Sequence, residues 1–303
     1  MLNSNLRGWL VVNSFLDSPK FEEIYARLIR AFSLRGVTLA RRGNAELVSV
    51  LGRPIPDLPD FALFWDKDIP LARHLENLGL RLFNRGEAIA LCDDKAETAL
   101  AFERGGIAQP KTVIAPLKFT SDPYPNDDFL DSVAGRLGFP LVMKERVGSF
   151  GAQVSLARNV GEIRAVMHSR PAASWLFQEY IASSFGRDLR IQTLGGKAVA
   201  AAARYGAPND FRSNVTAGGR MEPIDPPQTF IELAVRTAEH LRLDFAGIDI
   251  LYGEEETPLV CEVNSNAHFV NLDNALGIRF EEMLADYVIE TLLREKETPP
   301  KLC

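Results

Sequence analysis

The sequence predicts a mixed fold, α/β and then α+β: a small parallel α/β unit at the N-terminus, followed by units built on antiparallel hairpins. Three observations carry this. Over the first ninety or so residues, short apolar runs alternate with helical periodicity, the β-α-β texture of a parallel sheet. From Leu137 onward, strands follow one another across glycine turns instead. Near the C-terminus two apolar runs, 245–252 and 259–264, are separated by a turn over 253–258 and read as a hairpin.

In chain order, residues 9–15 read as the first strand and 19–34 as a helix whose buried face is Ile24, Leu28, Ile29 and Phe32. Strands follow at 37–39 and 61–65, then a helix over 70–78 and a strand at 81–84. A helix over 94–104 is ended by Gly105-Gly106. Residues 116–125 hold three prolines and read as a connection. Strands at 140–145 and 153–157 flank Gly148-Ser149-Phe150-Gly151, and a helix over 160–167 precedes a strand at 175–181. Runs 188–194 and 198–204 make a hairpin around Gly195-Gly196, and helices over 230–241 and 280–294 flank the last hairpin. No internal repeat or low-complexity tract is present.

The composition is that of an ordinary globular protein, with 46% hydrophobic and 24% charged residues in 303. A net charge of −6 argues against nucleic-acid binding, which needs a basic surface. No apolar stretch approaches the ~18 residues of a membrane span, and the first twelve residues lack a signal-peptide pattern, so no membrane association is expected. Three cysteines, Cys92, Cys261 and Cys303, are odd in number and widely spaced, which fits neither a disulfide framework nor a zinc site. They suggest the reducing cytosol, hence a cytoplasmic location. Cys261 alternates with Glu262 and is expected to pack as a small apolar residue.

The densest chemistry lies in the last hairpin. Glu262 and Asn264, two apart, share one face of a strand. If the turn is centred between Glu255 and Glu256, Asp249 falls opposite Glu262. Two facing carboxylates and an amide need a cation or a shared proton. Hard oxygens on rigid strands suit Mg²⁺ completed by phosphates and water. Elsewhere the signals are weaker. Gly148, Ser149 and Gly151 fit a phosphate loop, although a glycine turn is the plainer reading. Lys144 before that loop is a phosphate clamp only if the loop holds phosphate. Gln178 and Glu179 end an apolar strand and need partners; Asp188 opens the next. Arg212, Ser213 and Asn214 follow a Gly/Pro-containing loop and offer a guanidinium fork and an amide. Arg190 and Arg204 would ordinarily be surface charges, with clamping of an anion the second reading. His268 is a possible base, yet such a residue more often packs in a loop; His74, His168 and His240 lie in helices without companions. No Walker-type loop, Rossmann fingerprint or nucleophile elbow is present.

Taken in order, Lys95, Lys144, the glycine loop, Gln178-Glu179-Tyr180-Ile181, Asp188, Arg212-Ser213-Asn214, Asp249 and Glu262-Val263-Asn264 resemble the ATP-grasp superfamily, and within it the RimK-type amino-acid ligases, with cofactor-glutamylating and lysine-biosynthesis ligases close by. The resemblance is strongest over 137–293. It implies an N-terminal domain over 1–92, a central subdomain over 93–181 and a large C-terminal subdomain over 182–303, with ATP between the last two. It implies that Lys95, Lys144 and the loop hold the phosphates, that Glu179 to Ile181 hold adenine with Gln178 also binding the nucleotide, and that Asp188 holds ribose. Arg212, Ser213 and Asn214 would sit at the transferred phosphate, with Arg212 and Asn214 catalytic. Asp249, Glu262 and Asn264 would hold one or two Mg²⁺ (or Mn²⁺), and Arg190, Arg204 and Asn266 would face substrate. The implied activity is an ATP-dependent carboxylate–amine ligase acting through an acyl phosphate, adding an amino acid such as glutamate to a small molecule, cofactor or peptide terminus; a homo-oligomer is suggested by analogy with relatives alone, since nothing in the sequence reads out the oligomeric state. The tail Ser265-Asn266-Ala267-His268-Phe269 departs from the Pro-Gly turn usual in RimK. A kinase on the same scaffold and a nucleotide-binding module without turnover are the rival readings. A phosphorylated product formed without amine marks the first, and full activity after Glu262→Ala removes the metal argument against the second.

Overall fold

The computed structural model describes residues 6–119, 124, 126–148, 153–213 and 218–297. The N-terminal unit comprises β1 (Arg7–Val12), α1 (Pro19–Ser33), β2 (Thr38–Gly43), β3 (Phe61–Phe64), α2 (Ile69–Asn77) and β4 (Arg81–Phe83). Its strands form a parallel sheet in the order β2-β1-β3-β4. Proline at the start of α1 costs no hydrogen bond there, and Ile24, Tyr25, Leu28, Ala31 and Phe32 make the buried stripe. The first strand stops at Val12, short of Phe15, which is exposed.

Two helices then follow almost without pause, α3 (Gly86–Asp93) and α4 (Lys95–Gly105), broken where Asp94 turns extended. The predicted elements omit α3, whose run Ala88-Ile89-Ala90-Leu91 has no amphipathic period to read. A second sheet is built from β5 (Thr112–Ile114), β6 (Leu141–Glu145), β7 (Val154–Ala157) and β8 (Trp175–Glu179) in the antiparallel order β5-β8-β6-β7. It is backed by α5 (Phe129–Leu137) and α6 (Val160–Ser169) around Leu130, Met143, Ile163, Trp175 and Phe177. The third sheet holds β9 (Arg187–Leu194), β10 (Lys197–Tyr205), β11 (Arg220–Pro223), β12 (Phe245–Tyr252) and β13 (Pro258–Asn264), ordered β11-β10-β9-β12-β13. Helix α7 (Gln228–His240) covers one face of this sheet with Phe230, Leu233 and Ala234.

Two last helices, α8 (Val270–Leu276) and α9 (Phe280–Glu297), bring the chain back to its start. Phe280, Leu284, Val288 and Leu292 of α9 share one core with Ile24, Leu28 and Phe32 of α1. Each such fully buried side chain contributes about 1.5–3 kcal/mol. The junction is also polar. Asn84 is fully buried and donates to the carbonyls of Phe245 (2.9 Å) and Ser265 (2.8 Å) while accepting from the amides of Asp244 (2.7 Å) and Phe245 (3.2 Å). The N-terminal sheet is thus fixed to β12 and to the turn after β13.

Candidate active site

A cavity of about 630 Å³ lies between the second and third sheets, with residues of the N-terminal unit forming one wall. Its floor is the β12–β13 hairpin. Asp249 pairs with Glu262, as expected, but by a different register. Near the turn, Ile250 pairs with Val260 and Tyr252 with Pro258, which centres the turn on Glu255. A bulge at Cys261 supplies the extra residue that brings Glu262 opposite Asp249. The same bulge breaks the expected alternation: Cys261 lines the cavity beside Glu262, with its sulfur 3.5 Å from Lys144 Nζ, rather than packing purely as an apolar residue. Burial pushes the Cys261 thiol pKa up, and Lys144 opposes this.

Strand pairing extends the polar row. Arg190 of β9 lies opposite Asp249, and Arg204 of β10 lies opposite Asp188. The guanidinium of Arg190 grips Asp249 through two nitrogens, one at 2.8 Å. Arg204 grips Asp188 in the same way and also reaches Asp249 at 2.9 Å. These arginines are largely buried, which corrects the reading of them as ordinary surface charges. Burial alone would raise the Asp249 pKa, but Arg190 and Arg204 outweigh it and hold the carboxyl below its usual range. Burial likewise opposes the charge on Arg204, and Asp188 and Asp249 raise its pKa in spite of that.

Two lysines from the neighbouring elements reach the hairpin. Lys95 is the first residue of α4, whose start is fixed by the Asp94 carboxylate accepting from the amides of Ala96 (2.9 Å) and Glu97 (3.4 Å). Arg146, just past β6, donates to Asp94 at 2.6 Å, which ties the helix to the strand carrying Lys144. Lys95 Nζ donates to Gly148 O at 2.7 Å and lies 3.8 Å from Glu262. Burial lowers the Lys95 pKa; Glu262 opposes the shift and Lys144 adds to it. Gly148 has φ +144°, and a Cβ there would fall 2.7 Å from the Gln153 side chain, so the position favours glycine. Arg190, Arg204, Lys95 and Lys144 together face Asp188, Asp249 and Glu262, a local cationic excess in a chain of net charge −6.

The remaining predicted residues divide three ways. Gln178, Glu179, Tyr180 and Ile181 line the cavity with Val142 and Leu251, an apolar slot with polar edges. Gln178 donates to Thr112 Oγ1 at 2.9 Å, and Glu179 accepts from Lys111 N at 2.7 Å. Arg212 and Ser213 line it too, with Arg212 held by Asp210 at 2.9 Å. Ser149, Gly151 and Asn214 lie outside the described residues. Asn266 and His268 line the N-terminal end with Asn13, Trp65 and Asp66, three residues the sequence reading passed over. They sit in an ordinary strand-end context, and nothing in their spacing marks them.

The oxygen donors suit a hard divalent ion. Asn264 donates from Nδ2 to Asp249 Oδ2 at 3.5 Å, and Asp249 pairs across the hairpin with Glu262, so two carboxylates and a side-chain amide line one patch of the cavity. Among the described residues no group of three or more His, Cys, Asp or Glu could hold a metal unaided. The two carboxylates and the amide carbonyl are hard oxygen donors, which would suit a divalent ion completed by phosphate and water.

A sheet-bounded cleft with two lysines facing a carboxylate hairpin is the arrangement of an ATP-grasp protein. The crystal structure of D-alanine–D-alanine ligase from Bacillus anthracis complexed with ATP matches with a TM-score of 0.74, over 98% of this chain and 100% of that one, at 20% identity, which shows the shared fold. The RimK-like ATP-grasp domain matches residues 92–288, and the chain belongs to that family. Beta-citrylglutamate synthase B from Danio rerio is 33% identical over 228 residues, covering 75% of this chain and 55% of that protein. N-acetylaspartylglutamate synthase A from Homo sapiens is 31% identical over 234 residues, covering 77% and 58%. The chain thus spans little more than half the length of these relatives. Among the described residues no helix is long and apolar enough to cross a membrane.

Proposed function

We propose that this protein is an ATP-dependent carboxylate–amine ligase. The observation that carries the reading is the meeting of Asp249, Glu262 and Asn264 opposite Lys95 and Lys144 in one cleft. Membership of the RimK-like family and the two relatives named for glutamate conjugates support it. A carboxylate does not acylate an amine, because its leaving group would be oxide. Transfer of the ATP γ-phosphoryl group to the acid gives an acyl phosphate, and attack by an amine then gives an amide, ADP and phosphate. Lys95 and Lys144 balance the charge of the triphosphate, and the slot of Val142, Ile181 and Leu251 accepts the base. Asp249, Glu262 and Asn264 are the residues that would hold Mg²⁺, which when bound neutralises charge on the transferred phosphate. Arg190 and Arg204 keep Asp249 ionised. An amino acid such as glutamate is the proposed amine, and the acid is a second small molecule or a peptide end.

The test is a screen of acids and amines for ADP release, with mass spectrometry of the product. ADP formation that needs both substrates, and hydroxamate in place of amide when hydroxylamine replaces the amine, supports ligation. A stable phosphorylated product without amine would assign a kinase instead. Glu262→Gln is expected to lower turnover at least a hundredfold, on the order of one strong charge interaction with the transferring phosphate.

A further inference from the structure

A second cavity, of about 660 Å³, lies beside α3 and α4 and shares no lining residue with the cleft. Its volume is within the range of small-molecule sites, about 300–1,000 Å³. Its charge is one-sided. Arg85 stands just before α3, Arg104 in the last turn of α4 and Arg242 just past α7, and all three line the cavity. Among the described residues none of these three guanidinium groups has an ion pair or a side-chain hydrogen bond.

The other charged groups on the wall are already engaged. Arg81 pairs with Asp244 at 2.8 Å and Glu295 at 3.3 Å, and Glu87 with Arg73 at 3.1 Å. Glu76 accepts from the Gly86 amide at 3.3 Å. His240 Nε2 meets the Ala101 carbonyl at 2.8 Å, which ties α7 to α4. One exposed arginine is ordinary. Three from separate elements around one concavity, in a chain of net charge −6, make a local positive field that favours an anion. Each guanidinium presents a planar fork that matches a carboxylate through two hydrogen bonds. Leu80 and the half-buried Leu91 supply apolar lining beside them. Glu76 and Glu87 disfavour a dense charge such as a polyphosphate. Carboxylates spaced along a short carbon chain meet the arginines one by one and lay that chain on the leucines.

We propose that this cavity binds a small di- or tricarboxylate, and that the bound acid, by joining Arg85, Arg104 and Arg242, stiffens the frame around α4 and so tightens nucleotide binding at Lys95. Lys95 begins the helix whose last turn carries Arg104, so the two cavities share that rigid element. The site itself is independent of the ligase reading; its effect on nucleotide rests on Lys95 holding phosphate as that reading has it.

Isothermal titration calorimetry of the full chain tests this, with tricarballylate and succinate as probes and acetate and inorganic phosphate as comparisons. Tricarballylate or succinate should bind saturably, at least about tenfold more tightly than acetate or phosphate. Arg85→Ala and Arg104→Ala remove exposed side chains without partners, so the fold is kept. Each should weaken the probe roughly fivefold, the loss of one solvent-accessible charge-assisted contact. Arg53→Ala, at an exposed arginine that does not line the cavity, should leave probe binding unchanged. With Mg²⁺ and a non-hydrolysable ATP analogue present, probe and analogue should tighten each other by the same factor, about fivefold. Absence of probe binding, equal binding of acetate, tighter binding of phosphate, or an equal loss in Arg53→Ala would overturn the site. Probe binding that survives both Arg85→Ala and Arg104→Ala would place the acid elsewhere, the cleft included, and overturn it as well. No mutual effect in a chain that binds both ligands would overturn the link to Lys95, whereas a chain that binds the probe but not the analogue would overturn the nucleotide reading instead.

Discussion

Arg204 bridges Asp188 and Asp249 in a part of the cleft that water scarcely reaches. Its removal strands two carboxylates without their counter-charge, and breaking such a pair costs about 3–5 kcal/mol. Arg204→Met is therefore expected to lower stability by that order in denaturant unfolding. Arg204→Lys should recover only part of it, since an ammonium cannot fork to two carboxylates. The sequence made Asp249 and Glu262 legible, because a spacing of two and a turn are local signals. It did not reveal that Arg190 stands opposite Asp249, because β9 and β12 are joined through α7 and the register across that pairing leaves no local trace. Trp65 and Asp66 were missed for a similar reason: their corner draws on residues near 13–21, 65–66 and 266–268.

Helix α4 owes its position to one cap. Asp94→Ala removes the acceptor for two amides and the partner of Arg146, so stability should fall by about 1 kcal/mol, the usual cost of a lost cap. Because Lys95 is the next residue, KM for ATP should rise while the amino-acid KM changes little. A different dependence belongs to α8 and α9. Arg27 of α1 donates to both Asp273 and Glu281. Burial and the bond to Glu281 push the Asp273 pKa up to about 7, whereas Arg27 helps hold Glu281 low. The unfolded aspartate titrates near 4. Between those values the folded chain binds the extra proton, so this stabilisation is complete below about pH 4 and lost as pH rises through 7. Asp273→Asn should flatten that part of the pH–stability curve measured by thermal unfolding. The predicted hairpin around Gly195-Gly196 agrees with β9 and β10, since positive-φ glycines mark such a turn. Not predicted were β5 with three residues, β11 with four, α8 with seven and α5 with nine, although β3, β4 and β7, as short as β11 or shorter, were.

Across the molecule, Asn84 is the polar knot between the N-terminal sheet and the third sheet. Asn84→Ala would leave two amides and two carbonyls unsatisfied in the interior, a loss on the order of 3 kcal/mol that equilibrium unfolding would register. The predicted progression from a parallel sheet to antiparallel units matches the three sheets, because the change from β-α-β texture to glycine-linked strands is carried by composition alone. How the sheets dock was not legible, since it depends on contacts between the two ends of the sequence. Those contacts have a kinetic meaning. The core joining α1 to α9 makes the first and last segments one cooperative body, whereas Leu130, Met143, Ile163, Trp175 and Phe177 close a core of their own around β6 and β8. In deuterium labelling the amides of β1, β3 and α9 should exchange together and slowest, and those of β6–β8 in a separate, faster phase. Nucleotide, if bound in the cleft as proposed, should slow that second phase towards the first, so the spread between the two rates becomes a gauge of how firmly the cleft is shut.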